Sequence, residues 1–386
     1  MKLLKKTSLA LLCSQMSLMA MILSSTGLAL PRLKEEIGLN PIQQGSLVSL
    51  QYIGFTIAVL VGGTLLDKFG RYKVLSLSFG ILGLSAFLFG ASTQFWMSVI
   101  GVLMIGAFGS ITQNGITTLA TNFDRNNSEK NNAFVQLFFT VGAVLTPLLI
   151  LAFMMLLDSW RLAYYTVGIL CIAIALITSR YKEEKSQTGI SLRDNMSVYI
   201  KALKTPSYLI APVALLLYVG TEIGVWGFAP VLFENQGYGA LSGILASILI
   251  WLSMLIGRIL SVRLLKKVDM IPILVGYGLL AAIALVCVIF TGQIASIIWI
   301  SISGFACAPF YPLLVTWMTR ITGERSSSAL ALTMAFGSLG AVFMGWLAGL
   351  VVDIMGAKYV TAVPAISMVI LILLLVFFRN RKAEQQ

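Results

Sequence analysis

Apolar residues in this chain gather into long blocks that short polar or Gly/Pro breaks interrupt; they do not alternate with polar ones. Twelve blocks can be marked, at roughly 7–30, 42–66, 74–92, 95–120, 131–157, 160–179, 208–233, 240–263, 270–291, 294–319, 327–352 and 358–378. As helices rising 1.5 Å per residue, such blocks cross a hydrocarbon layer of roughly 30 Å. Strands of an outer-membrane barrel would alternate in polarity over about ten positions, whereas Ile366 to Phe378 is continuously apolar. The pattern therefore predicts twelve membrane-spanning helices. The narrowest gaps, Ser92–Gln94 and Thr291–Gln293, join helices by very short turns on the same side. The first block follows Lys2, Lys5 and Lys6, as a secretory signal would, but it is long enough to span and reads as the first helix.

Composition agrees, since 58% of the 386 residues are hydrophobic and only 11% are charged. No soluble domain of this size hides so much apolar surface. The net charge of +12 would point to nucleic acid in a soluble protein. Here its placement reads as topology. Starts of odd-numbered helices and ends of even-numbered ones carry 22 Lys and Arg, while the other side has Arg32, Lys34, Arg161 and Lys358. The positive-inside rule then puts both termini in the cytosol and the protein in the cell membrane. Cys13, Cys171, Cys287 and Cys307 lie within apolar blocks and read as small buried hydrophobes. Histidine is absent, so proton handling falls to a carboxylate, tyrosine or water.

The longest polar segment, 180–207, divides the blocks six and six, giving an amino-terminal bundle over 1–179 and a carboxy-terminal bundle with a short tail over 208–386. Arg193 to Lys204 is either a short surface helix or a solvated loop. An internal repeat supports the division. At an offset of 198 residues, Phe138 and Gly142-Ala143-Val144 match Phe336 and Gly340-Ala341-Val342, and Gly106 matches Gly304; Leu30-Pro31 and Ala229-Pro230 correspond at 199.

One charged stretch stands between the second and third blocks: Gly63-Thr64-Leu65-Leu66-Asp67-Lys68-Phe69-Gly70-Arg71-Tyr72-Lys73. Its glycines permit a turn, and its charges suit a membrane surface. The pattern Gly-x-x-x-Asp-Lys/Arg-x-Gly-Arg-x-Lys resembles the loop signature of the major facilitator superfamily of secondary transporters. That resemblance implies an all-α membrane protein of two parallel, pseudo-symmetric six-helix bundles, with helices one, four, seven and ten lining the cavity. It also implies a conformational latch made by Gly63, Asp67, Lys68, Gly70 and Arg71. Asp67 would face the start of helix eleven near Ser326 to Ser328, and Arg71 would reach Asp124. Arg258, after Gly257, is expected to be the second half's remnant of the same motif, paired with helix carbonyls or Asp269.

Transport requires polar groups deep in the spans. Of fifteen acids, Glu222 alone is embedded at mid-span. A charged carboxylate there costs about 3 kcal/mol on an insertion scale, which a partner, a water-filled cavity or protonation must offset. Tyr218 and Trp226 stand four residues to either side and share its face. An aromatic wall beside a carboxylate suits a sugar, whose ring stacks while its hydroxyls are accepted; simple packing is the alternative for both aromatics, and a helix–helix hydrogen bond for Glu222. The first half offers the amides of Gln15, Gln113, Asn114 and Gln136, which read hydroxyls without titrating or else bond between helices. Gln136 sits nearest the cytosolic end.

Further stretches, Phe138 to Pro147, Tyr218 to Gly224, Gly257-Arg258 after Trp251, and Pro309-Phe310-Tyr311-Pro312, resemble the fucose, galactose and glucose proton-symporter branch. Trp251 and Tyr311 join the candidate substrate residues on that basis. The chain departs from the branch in helix four, where Gln113 and Asn114 stand in place of an acid, so any proton coupling rests on Glu222. The expected function is alternating-access transport of a small polar solute, a monosaccharide, with a proton. The alternatives are efflux of lipophilic or cationic drugs, with Trp226, Trp251 and Tyr311 as an apolar pocket, and a non-transporting sensor or enzyme. The expected partners are the solute, protons and the bilayer, with no cofactor, metal or nucleic acid, and a monomeric state.

Overall fold

The computed structural model describes residues 8–123, 128–181, 206–237, 239–265, 267–322 and 326–383. The helices are α1 (Leu9–Leu23), α2 (Thr26–Ile37), α3 (Pro41–Phe69), α4 (Arg71–Gly90), α5 (Phe95–Phe123), α6 (Ser128–Leu157), α7 (Arg161–Thr178), α8 (Pro206–Trp226), α9 (Ala229–Asn235), α10 (Gly239–Leu264), α11 (Met270–Phe290), α12 (Gln293–Cys307), α13 (Phe310–Thr322), α14 (Ser326–Met355) and α15 (Ala362–Ala383). By length and composition they make twelve candidate membrane spans. Residues 182–205, the greater part of the expected linker, lie outside the described residues.

Three spans are broken helices, which the apolar blocks do not reveal. The first divides between α1 and α2 at Ser24–Ser25, where the Ser24 and Ser25 hydroxyls donate to Ala20 O and Ile22 O, each at 2.7 Å, in competition with the helix's own amides. The seventh divides at Gly227–Phe228, just before Pro230 enters the first turn of α9. The tenth divides at Ala308–Pro309, where proline has no N–H to give the ladder. Interrupted backbone at membrane depth survives only where protein or a wet cavity surrounds it. Each break is therefore a place where polar chemistry is concentrated.

Packing divides the chain into two compact units: Met1–Ala29, Glu35–Ile37 and Leu50–Met196 in one, Leu30–Lys34, Gly38–Ser49 and Ser197–Gln386 in the other. Within each, the same helix contacts recur, and they explain the repeat. A Cβ on Gly142 would collide with Ser17 O, and one on Gly340 with Leu216 O; a Cβ on Gly106 would meet Gln51 O, and one on Gly304 would stand 2.7 Å from Ile250 O. Only glycine lets a backbone carbonyl come so near. At a further repeated position the chemistry is exchanged: Gly54 lies against Leu103 O, whereas Ser253 Oγ donates to Ser301 O at 2.6 Å.

The second unit's segments from the first two spans are held by short contacts of their own. Lys34 Nζ donates to Asn235 Oδ1 and Ser49 Oγ to Val342 O, both at 2.7 Å, while a Cβ on Gly45 would stand 2.9 Å from Gly349 Cα. Large apolar side chains such as Ile57, Leu77, Ile283 and Leu373 are exposed on outer helix faces, as a lipid solvent allows.

Candidate functional site

The second unit gathers the ionisable chemistry. Its seventh span runs Leu209–Asn235, so Glu222 is the central residue, one turn before the break at Gly227. Its side chain is half-buried, and the groups acting on it are the Arg258 guanidinium from α10 and the Tyr218 hydroxyl from its own helix. Glu222 in turn acts on Cys307, the last residue of α12, and on Tyr311, in the first turn of α13. These two residues stand on either side of the break in the tenth span.

Aromatic rings fix this arrangement. Trp226 and Trp251 pack 4.9 Å apart at 58°, which joins α8 to α10 at one level. Tyr218 has no exposed surface and lies parallel to Phe310, with centroids 5.4 Å apart, so its ring face is engaged with protein. Its hydroxyl makes no hydrogen bond of ordinary geometry. Trp226 and Trp251 are each 8% exposed, and Tyr311 is half-buried. Gly257 seats α10 on the tenth span, where a Cβ would fall 2.5 Å from Phe305 O and 2.7 Å from Ala308 Cβ. A second stack, Tyr277 on Phe305 at 5.5 Å, holds α12 from the α11 side.

In the first unit the expected amides are distributed differently. Gln15 is fully buried and donates to Thr178 Oγ1 at 2.7 Å, leaving its own carbonyl oxygen unpartnered. Gln136 donates to Thr117 Oγ1 at 3.3 Å. Gln113 is buried and Asn114 half-buried, with the Asn114 amide nitrogen 3.0 Å from where a Cβ on Gly62 would be. Gln51, which the sequence reading passed over, is buried, accepts from Thr26 and donates to Leu23 O at 2.9 Å, bracing the break in the first span. Ser24 and Thr146 share a hydrogen bond at 3.2 Å. A charged pair of this unit lies at the span ends: Arg161 pairs with Glu36, donates to Gly90 O and Ser92 O, and lies over the Trp160 ring, whose N–H donates to Glu36 at 2.7 Å.

The charged stretch is helical almost throughout, where a turn was expected. Residues Gly63 to Phe69 belong to α3, Arg71 to Lys73 to α4, and Gly70 alone separates the helices with a φ of 95° that L side chains rarely adopt. Lys68 is exposed, its ammonium 5.2 Å from the Phe69 ring centroid, and Tyr72 stacks on Tyr181 at 5.5 Å. Asp124 lies outside the described residues. The charge of Arg258 acts on Glu222, Tyr218 and Tyr311.

The family model described as Major Facilitator Superfamily matches residues 11–302. A glucose/mannose transporter, GlcP of Bacillus subtilis (strain 168), is 22% identical over 336 residues, covering 84% of this chain and 83% of its own length. Among solved structures, a D-xylose-proton symporter superposes with a TM-score of 0.78 at 16% identity, covering 95% of this chain and 96% of its own. The nucleoside transporter NupG gives 0.77 at 15% identity, covering 96% and 99%.

Proposed function

The chain belongs to the Major Facilitator Superfamily, and from that membership we propose that it is a secondary transporter moving a small polyhydroxylated solute of the monosaccharide class together with a proton. Both termini face the cytosol in this reading, as the distribution of Lys and Arg requires.

The observation that carries the proposal is the position of Glu222. A carboxylate at the centre of a span, one turn from a helix break and one turn before Trp226, which packs on Trp251, is costly to keep. Its use is to gain and lose a proton as it meets first one side of the membrane and then the other. Within the second unit, Trp226, Trp251 and Tyr311 supply an apolar and aromatic wall; the first unit, taken by itself, carries in Gln113 and Asn114 amides of the kind that read hydroxyls. Tyr218, stacked on Phe310, stands one turn before the acid on the same helix. Gln15 and Gln136, engaged between helices, belong to the scaffold. The relationship to a glucose/mannose transporter supports the solute class.

Efflux of a lipophilic cation fits less well, because the Arg258 guanidinium acts on the same carboxylate that would have to attract the drug. Uptake into proteoliposomes under an imposed pH gradient, with a panel of sugars and lipophilic cations, tests the reading. Gradient-dependent sugar uptake supports it, and movement of the cations alone refutes it.

A further inference from the structure

In the first unit a charged pair sits at the far end of a helix that the break in span one has already set apart. Span one divides at Ser24–Ser25, and of the half beyond the break, α2, residues 26–29 and Glu35–Ile37 belong to the first unit. At the near end Thr26 donates to Gln51, which in turn donates to Leu23 O, so the start of α2 is tied to α3 and, across the break, to α1. At the far end the hold is Glu36. One of its carboxylate oxygens accepts from Trp160 Nε1 at 2.7 Å, and the other accepts from Arg161. The break itself is not packed solid, because a small cavity lined in part by Met21, Ile22, Ser25, Thr146 and Tyr164 adjoins it.

The partners of Glu36 form a fixed seat. Asp158 ends α6 in the left-handed region, with a φ of 49°, and its N–H donates to Met154 O at 3.2 Å; aspartate tolerates that backbone better than most residues. The reversal delivers Trp160 and Arg161 to the start of α7. Trp160 is 4% exposed and meets Tyr164 edge-on, with centroids 5.5 Å apart, and Phe89 at 6.4 Å. Arg161 donates to Gly90 O and, at 2.9 Å, to Ser92 O at the end of α4, with its guanidinium over the Trp160 ring. A cation on the carbonyls that end a helix is well placed even with no acid beside it. The seat therefore stands without Glu36. The ion pair is the weaker part, since the Arg161 and Glu36 side chains are 22% and 38% exposed and water can replace each for the other.

We propose that Glu36 is a positioning residue for transport, a clasp that docks the far half of span one on the first unit and releases it once in each cycle. The clasp goes beyond the preceding subsection, because it does not depend on which solute moves. Alternating access requires an element with two arrangements. The helix α2 has the parts of one: a pivot at Ser24–Ser25, space beside the pivot, and a hold at the opposite end that water can displace. With the clasp closed, α2 is held at both ends. With it open, α2 turns about the break while Arg161 stays on its two carbonyls and Trp160 stays in its packing. Weakening Glu36 thus loosens α2 and leaves the helices around the seat as they are.

Glu36→Gln keeps an acceptor for Trp160 and a good helix former in α2, but removes the charge that Arg161 meets. Amide hydrogen exchange of the full chain in nanodiscs reads the hold directly. The expected result is exchange about tenfold faster over Thr26–Ile37 in Glu36→Gln, with Leu9–Leu23 and Arg161–Thr178 unchanged. Glu36→Asp, which keeps the charge one methylene shorter, should fall between the parent and Glu36→Gln. Unchanged exchange over Thr26–Ile37 overturns the proposal, and so does an equal rise in α4, α5 and α7, which makes Glu36 a support of the whole unit's fold. A second arm measures initial rates of labelled glucose uptake into proteoliposomes. Because closing the clasp is a step of the cycle, Glu36→Gln should lower the maximal rate about threefold or more with KM within about twofold of the parent's, and Glu36→Asp should restore part of the rate. A raised KM at an unchanged maximal rate overturns the proposal, as does a variant with both values unchanged. If the parent itself takes up no glucose, that counts against the monosaccharide reading, and the exchange result alone decides the clasp.

Discussion

The two units of this protein are built by the same contacts and differ in what they bury. Gly142 on Ser17 and Gly106 on Gln51 in one recur as Gly340 on Leu216 and Gly304 on Ile250 in the other. At mid-depth the resemblance ends. The first unit braces its broken span with neutral groups, Thr26, Gln51, Ser24 and Thr146, and keeps its Arg161–Glu36 pair at the span ends. The second places Glu222 and Arg258 at the level of its breaks. A duplicated scaffold thus leaves one copy free to specialise: where close carbonyl contacts fix the fold, the residues between them can differ.

The severest way to test that comparison is to attack what the units share. Gly106→Val and Gly304→Val should each force a carbonyl contact apart and cost about 1–3 kcal/mol or more. Thermal unfolding in detergent should show similar losses for both, and a large loss in one unit alone would break the equivalence.

Those glycines are also the part of the fold most legible in the sequence. A position that must lie against a carbonyl admits only glycine, so the constraint repeats at a fixed offset while the apolar residues around it drift. The twelve spans were legible for a related reason, since lipid requires unbroken apolar length. Glu222 was found by counting to the middle of a span. The breaks were harder to read. Pro230 and Pro309 mark two of them, but Ser24–Ser25 opens the first span through hydroxyl competition that many intact helices tolerate. That the Arg258 charge acts on Glu222 was hidden, because it depends on the level at which two helices meet, and the Trp226–Trp251 contact marks that level. The Gly63 to Lys73 stretch looked like a turn because two glycines bracket its charges, yet only Gly70 has a backbone that requires glycine.

A smaller effect is expected within the second unit. Trp226→Leu removes a ring contact of the kind worth about 0.5–1.5 kcal/mol, so KM for the transported solute should rise by roughly 2- to 10-fold with the maximal rate less affected. Initial-rate uptake in proteoliposomes measures the split. A collapse of the maximal rate at unchanged KM would show that the pair positions moving helices and does not line the solute.

The smallest effect belongs to the first unit. Gln15→Leu should cost about 0.6 kcal/mol, the average for a hydrogen bond between membrane helices, and leave the solute's KM unchanged. A KM raised by tenfold or more would move Gln15 from scaffold to site and blur the contrast between the units.

The central claim is that the coupling proton is carried by Glu222 of the second unit. The most direct measurement is solute accumulation in Glu222→Gln proteoliposomes under a pH gradient, set beside gradient-free counterflow in the same vesicles. The expected result is preserved counterflow with accumulation reduced to the external concentration. Accumulation at the parental level under the gradient would contradict the account.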